Sequence, residues 1–132
     1  MALIYLSSTF RDLETHRLAV FNQLTSMQHQ VRAMEHYVAT DERPADKCIA
    51  DVKKSDLYIG LFAWRYGYVP PNDNPQKRSV TELEYRAAAD EKKSRLIFLL
   101  DPAAAWQPDR MDSHTGEGDS GGRIRDLRKS RE

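Results

Sequence analysis

Four short apolar runs recur along the chain, separated by stretches with helical periodicity, and this alternation limits the possible folds more than any other feature. The runs are "ALIYL" (2–6), "VRAM" (31–34), "DLYIGLFAW" (56–64) and "RLIFLL" (95–100), all of strand length. Between them, residues 11–28 set Leu13, Val20, Phe21, Leu24 and Met27 on one helical face. "PADKCIADVKK" (44–54) begins with Pro and turns Cys48, Ile49 and Val52 inward, and residues 79–91 supply a third helix. The order β-α-β-α-β-α-β, with strands apolar on both sides, predicts a doubly wound parallel α/β sheet covered by helices on both faces. Such sheets bind ligands at the carboxyl ends of their strands, near the point where strand order reverses.

A chain of 132 residues suits one domain with a real core. Its 20 basic and 20 acidic residues cancel, so charge gives no reason to expect a nucleic acid or an anionic membrane as partner. No stretch approaches the roughly 20 apolar residues of a membrane span. The lone Cys48 fits a reducing, cytoplasmic setting, and the N-terminal run lacks the basic leader of a signal peptide. After Asp101 the large apolar residues thin out to Trp106, Met111, Ile124 and Leu127. The expected organisation is therefore a domain over 1–101, an irregular loop or linker over 102–122 without packing of its own, and over 123–132 the start of a helix leading to a downstream module.

The turn after the first strand carries three consecutive hydroxyls, Ser7, Ser8 and Thr9. With Thr9 as helix N-cap, Asp12 falls at N3, as in a capping box. Ser7 and Ser8 are then left beside the positive end of a helix, where phosphate or ribose hydroxyls bind, and Arg11 adds charge. The plainer alternative is that all three hydroxyls solvate a tight turn.

In "SVTELEYRAAADE" (79–91), Val80, Leu83, Ala87 and Ala88 form one face with Glu84 in its middle, and Glu82 points the opposite way, to solvent. A carboxylate on an apolar face must be paired, hydrogen-bonded or protonated, and such acids concentrate at functional sites. The first helix similarly turns Arg17 inward among Leu13, Val20, Phe21 and Leu24. A structural ion pair between Arg17 and Glu84 explains both residues without chemistry, and Glu35 and Asp56 are further possible partners.

"FAWRYGYVPP" (62–71) follows the longest strand. Its Trp64, Tyr66 and Tyr68 suit stacking on a flat base or nicotinamide ring, with Gly67 permitting close approach, or equally a lid over a core. "GEGDSG" (116–121) matches a dinucleotide-binding pattern in letters only: no strand precedes it, and Glu117 and Asp119 would repel a pyrophosphate, so it reads as a flexible loop. His16, His29, His36 and His114 lack zinc-site spacing with the single cysteine, so no metal site is expected.

Together "YLSSTFRDLETHR", "SDLYIGLFAWRYGYVP" and "SVTELEYRAA" resemble a TIR-like family of unknown-function domains, over most of residues 3–101. That family stands at the N-termini of signalling proteins with a STAND or NACHT type NTPase and repeats. More distantly, "ALIYLSS", "ADVKKSDLYIGLF" and "TELEYRAAA" are similar to nucleoside 2-deoxyribosyltransferases, whose Thr-x-x-Glu motif with a following Ala falls on Thr81, Glu84 and Ala88. The resemblance implies a flavodoxin-like, TIR-like sheet of four to five strands. It implies N-glycosidic chemistry, with Glu84 the key acid and Ser7, Ser8, Thr9, Arg11, Trp64, Tyr66 and Thr81 around the substrate. NAD would then be substrate, not cofactor, and cleavage of its nicotinamide–ribose bond the effector step of an innate-immunity type sensor. Self-association on activation and contact with the downstream NTPase or repeat module are the implied partners. The alternatives are a non-enzymatic assembly module and a deoxyribosyltransferase-like enzyme.

Overall fold

A computed structural model of the chain describes residues 1–33 and 45–130. Its four strands, β1 (Leu3–Ser8), β2 (Gln30–Arg32), β3 (Leu57–Phe62) and β4 (Ser94–Leu99), pair in the order β2-β1-β3-β4, and every pairing is parallel. The α/β architecture expected from the apolar runs is thus present as a single four-stranded parallel sheet flanked by helices, in the flavodoxin-like manner. Parallel neighbours require crossovers. Helix α1 (Glu14–Ser26) follows β1, α2 (Ala45–Lys54) precedes β3 and α3 (Val80–Asp90) precedes β4. Strand order reverses between β1 and β3, so the switch-point crevice lies at their carboxyl ends.

Side chains alternate across a strand, and this divides the core in two. On one face Ile4, Leu6, Ile59 and Leu61 pack with Leu13, Val20, Phe21 and Leu24 around α1. On the other, Tyr5, Tyr58 and Phe62 pack with Val52 of α2, with Tyr85, Ala87 and Ala88 of α3, and with Ile124 and Leu127.

Several sequence expectations change here. Helix α1 starts at Glu14 rather than residue 11, after a turn over 10–13, and Met27 lies exposed at its end. Strand β4, apolar from Leu96 onward, is an edge strand whose far face no helix covers among the described residues, leaving Leu96 and Phe98 49% and 56% exposed. Part of "VRAM", together with Glu35, His36 and Pro44, lies outside the described residues.

Beyond residue 101 the chain stays mostly exposed up to residue 120, Asp112 excepted, and then packs through a helix where the sequence reading placed one. A 3-10 turn (Pro108–Arg110) leads to the one-turn helix α4 (Asp112–Thr115), the turn α5 (Glu117–Ser120) and then helix α6 (Gly122–Ser130). The GEGDSG stretch, expected to be a flexible loop, is a left-handed turn rather than a regular helix, with positive φ at Gly116, Gly118, Asp119, Ser120 and Gly121. Three residues of α6 are buried: Ile124, Leu127 and Arg128. Arg128 donates to the carbonyls of Phe62 (2.9 Å), Ala63 (3.0 Å) and Leu100 (2.5 Å), tying off the carboxyl ends of β3 and β4. Composition missed this because a few apolar residues suffice when an arginine satisfies backbone acceptors.

Candidate active site

The register brings Tyr5 beside Tyr58 and Ser7 beside Gly60, all on the α3 face of the sheet. The two tyrosine rings stack with centroids 6.5 Å apart. Gly60 is needed there, since an added Cβ would sit 3.1 Å from Ile97 Cδ1 and from Tyr58 Cε1. Into this polar gap in an apolar face α3 delivers Glu84, which is 2% exposed. Ser7 Oγ donates to Glu84 Oε1 at 2.9 Å, and Tyr5 Oη donates to Glu84 Oε2. A buried carboxylate held by two hydroxyls meets the demand that buried polar groups be paired. Among the described residues the Tyr58 hydroxyl, buried near Ser7 and Glu84, has no hydrogen-bond partner. Burial first, and the Glu84 charge second, push its phenol well above the ordinary tyrosine range.

The neighbouring hydroxyls act elsewhere. Ser8 faces the opposite side of β1, donating to the Thr9 carbonyl (2.7 Å) and accepting from Arg17 Nη1 (2.7 Å). Arg17, buried on α1, therefore approaches β1 from the face away from Glu84, not as the cross-sheet ion pair that the helical wheels suggested. Thr9 does not cap a helix: Leu13 holds the N-cap position of α1, and the Thr9 hydroxyl donates instead to Asp12. Asp56 accepts from the Leu3 amide at 2.8 Å, at the amino edge of the sheet.

The loop after β3 does reach the same edge. Gly67, at φ +95°, passes so near that an added Cβ would be 2.9 Å from Thr9 Cγ2 and 3.7 Å from Thr81 Oγ1. The β1 turn, the β3 loop and the start of α3 therefore converge. The loop's aromatics are already engaged. The Arg128 guanidinium lies 3.9 Å from the Trp64 ring centroid and Arg123 4.9 Å from that of Tyr66, while Tyr68 is exposed. Tyr66 donates its hydroxyl to Glu82, and its amide donates to Asp112 Oδ2 at 2.7 Å.

Glu82, expected on the solvent face, is thus a buried hub that also accepts from Arg86 Nε at 2.6 Å. Helical period cannot see the β3 loop folding over that face. The spacing of Ser79 and Glu82 did hold a signal, that of a capping box, and Ser79 Oγ does accept from the Glu82 amide at 3.1 Å. Two buried acids, Asp12 and Asp112, flank this loop. Arg65 stands 3.9 Å from Asp12 and 3.6 Å from Glu117. Burial raises the pKa of both aspartates, helped by Asp112's charge at Asp12 and by Glu117's at Asp112.

Of the residues singled out in the sequence, Ser7 and Glu84 touch each other, and Thr9 and Thr81 meet through Gly67. Ser8 belongs to the opposite face, and Trp64 and Tyr66 are covered by arginines. Arg11 lies apart, on a cavity of about 480 Å³ between α1 and Arg110. Tyr5 and Tyr58 were missed, although a tyrosine in a strand buried on both faces announces a hydroxyl in need of a partner. Among the described residues no three His, Cys, Asp or Glu side chains gather as a metal cluster, and no helix is long and apolar enough to cross a membrane.

Comparison with known proteins gives a family and much longer relatives. Residues 3–131 match the family described as "Domain of unknown function (DUF4062)". The chain is 30% identical over 145 residues to "Telomerase protein component 1" of Mus musculus, and 29% identical over 147 residues to its namesake in Rattus norvegicus. Each match takes in 80% of this chain and 6% of the relative, so the chain spans a small fraction of the length of those proteins. No solved structure matches it.

Proposed function

The chain belongs to the DUF4062 family, and we propose that this member cleaves the nicotinamide–ribose bond of NAD or a related nucleotide, with Glu84 as the catalytic acid residue. The observation that carries the proposal is the buried Glu84 carboxylate, held by Ser7 and Tyr5 in a gap of the central strands, with the Tyr58 hydroxyl unpartnered beside it. Loss of nicotinamide leaves positive charge on the ribose, and a fixed carboxylate lowers the barrier by electrostatic stabilisation and positioning. Ser7 and Tyr5 orient the carboxylate, and Tyr58 is the free donor for a ribose hydroxyl. Glu84 is 2% exposed, so the ribose reaches it only when the crevice opens. Water or a nucleobase completes the reaction.

The matched region is a small part of its long relatives, which supports the reading of this domain as one module of a larger chain. In that reading it is the effector of a STAND or NACHT type sensor, TIR-like in descent, active when copies cluster. The test is nicotinamide release from NAD by the purified chain, free and artificially clustered. A second reading, a non-enzymatic assembly module, is favoured by one observation: neither the cavity beside Arg11 nor that beside Arg95 reaches Glu84. Absence of turnover in the clustered chain would select it.

A further inference from the structure

On the outer side of α3, away from Glu84, three arginines from separate segments line a cavity of about 320 Å³. Arg78 precedes the helix, Arg86 lies in its second half, and Arg95 comes from the start of β4. Tyr85, Asp90 and Ser130 complete the wall.

Like charges converge here for a reason visible in their contacts. Glu82 holds Arg86 through Nε at 2.6 Å and stands 3.6 Å from Nε of Arg78, which fixes both guanidinium groups by their inner nitrogens. Arg95 is steadied by the Tyr85 ring, 5.5 Å from its centroid. Among the described residues, no protein acceptor meets the outer Nη groups of Arg78 or Arg86, or any N–H of Arg95. Planar guanidinium forks with free outer N–H groups match the oxygens of a phosphate, which they bind bidentately. Three arginines outnumber the two carboxylates beside them, Glu82 behind and Asp90 at the rim, and leave a net positive lining that attracts a phosphate. The volume exceeds that of a bare phosphate and lies within the range of small-molecule sites.

We propose that this cavity is a binding site for a phosphomonoester, the dianionic end of a ligand no larger than a mononucleotide. The site is separate from the Glu84 gap and does not depend on NAD cleavage.

Calorimetric titration of the whole chain at low salt tests it, with inorganic phosphate, 5′-AMP and adenosine as probes. Phosphate and 5′-AMP saturate the wild type with Kd of about 1 mM or tighter, and adenosine does not bind. Arg95→Gln, which leaves the Glu82 hub untouched, weakens both anions at least about tenfold, as does Arg86→Gln, while Asp90→Asn tightens them. Tighter binding of 5′-AMP than of phosphate assigns the ligand to nucleotides, and equal binding assigns it to the phosphate group alone. No saturable uptake of either anion by the wild type overturns the site. So does unchanged affinity in Arg95→Gln with a native circular dichroism spectrum, or adenosine binding as tightly as 5′-AMP.

Discussion

Ser7 and Glu84 meet at 2.9 Å across the boundary between sheet and helix, joining the carboxyl end of β1 to the second turn of α3. The Ser7 and Tyr5 hydroxyls both donate to the carboxylate. A glutamine keeps the shape and can still hydrogen-bond to both hydroxyls, so removing the charge should cost little stability. Glu84→Gln is expected to lower the unfolding free energy by about 1 kcal/mol, read by urea denaturation. A loss near the ~3–5 kcal/mol typical of a broken buried ion pair would mean that Glu84 serves a cation after all.

Tyr58 supplies a sharper separation of stability from function. Its hydroxyl is buried without a hydrogen-bond partner among the described residues, so Tyr58→Phe removes an unmet polar group. The thermal midpoint of the variant should equal or exceed that of the wild type. Nicotinamide release should fall, since the free donor for the ribose is gone. A clear drop in midpoint would show that the phenol is bonded in the folded state.

Gly67→Ala tests the convergence of the β1 turn, the β3 loop and α3. Both the φ of +95° and the 2.9 Å approach to Thr9 Cγ2 oppose a side chain there. The substitution should destabilise by about 1–3 kcal/mol. Adding Thr9→Ser, which deletes the clashing methyl, should recover part but not all of the loss, because the backbone strain remains. Full additivity of the two changes in a double-mutant cycle would contradict the contact.

Asp12 and Asp112 give the fold a pH signature. Each has its folded pKa raised above 3.8 by burial, so between that value and the raised one the folded state binds more protons than the unfolded. Their contribution to stability is therefore greatest in acid and is lost as pH rises through the folded values. Replacing both by Asn should flatten this slope and raise stability at pH 7, in denaturation curves collected across the acidic range. An unchanged slope would mean that neither group is desolvated.

Much of the fold was legible because its signals are local. The four apolar runs located the strands and implied their parallel pairing, though not their order in the sheet, and the helical period of α3 found Glu84 on the inward face. What escaped depended on contacts between distant segments. Glu82 was assigned to solvent because nothing in its own helix reveals that Tyr66 folds over it. The last helix was expected to lead away from the domain, since the value of Arg128 lies in three carbonyls that sequence does not display. Thr9 looked like a cap, but the turn over 10–13 delays α1, and its hydroxyl serves Asp12 instead. Ser7 and Ser8 looked equivalent; strand alternation sends one to Glu84 and the other to Arg17.

The most direct measurement is nicotinamide release from NAD by the purified chain, wild type against Glu84→Gln, each free and artificially clustered. Glu14→Gln, on the exposed side of α1, is the control, because Glu82 is itself buried and bonded to Tyr66. The account predicts release by the clustered wild type and by the control, and a fall of about 10²-fold or more in Glu84→Gln with the fold retained. Undiminished release by Glu84→Gln, or none by the clustered wild type, would contradict it.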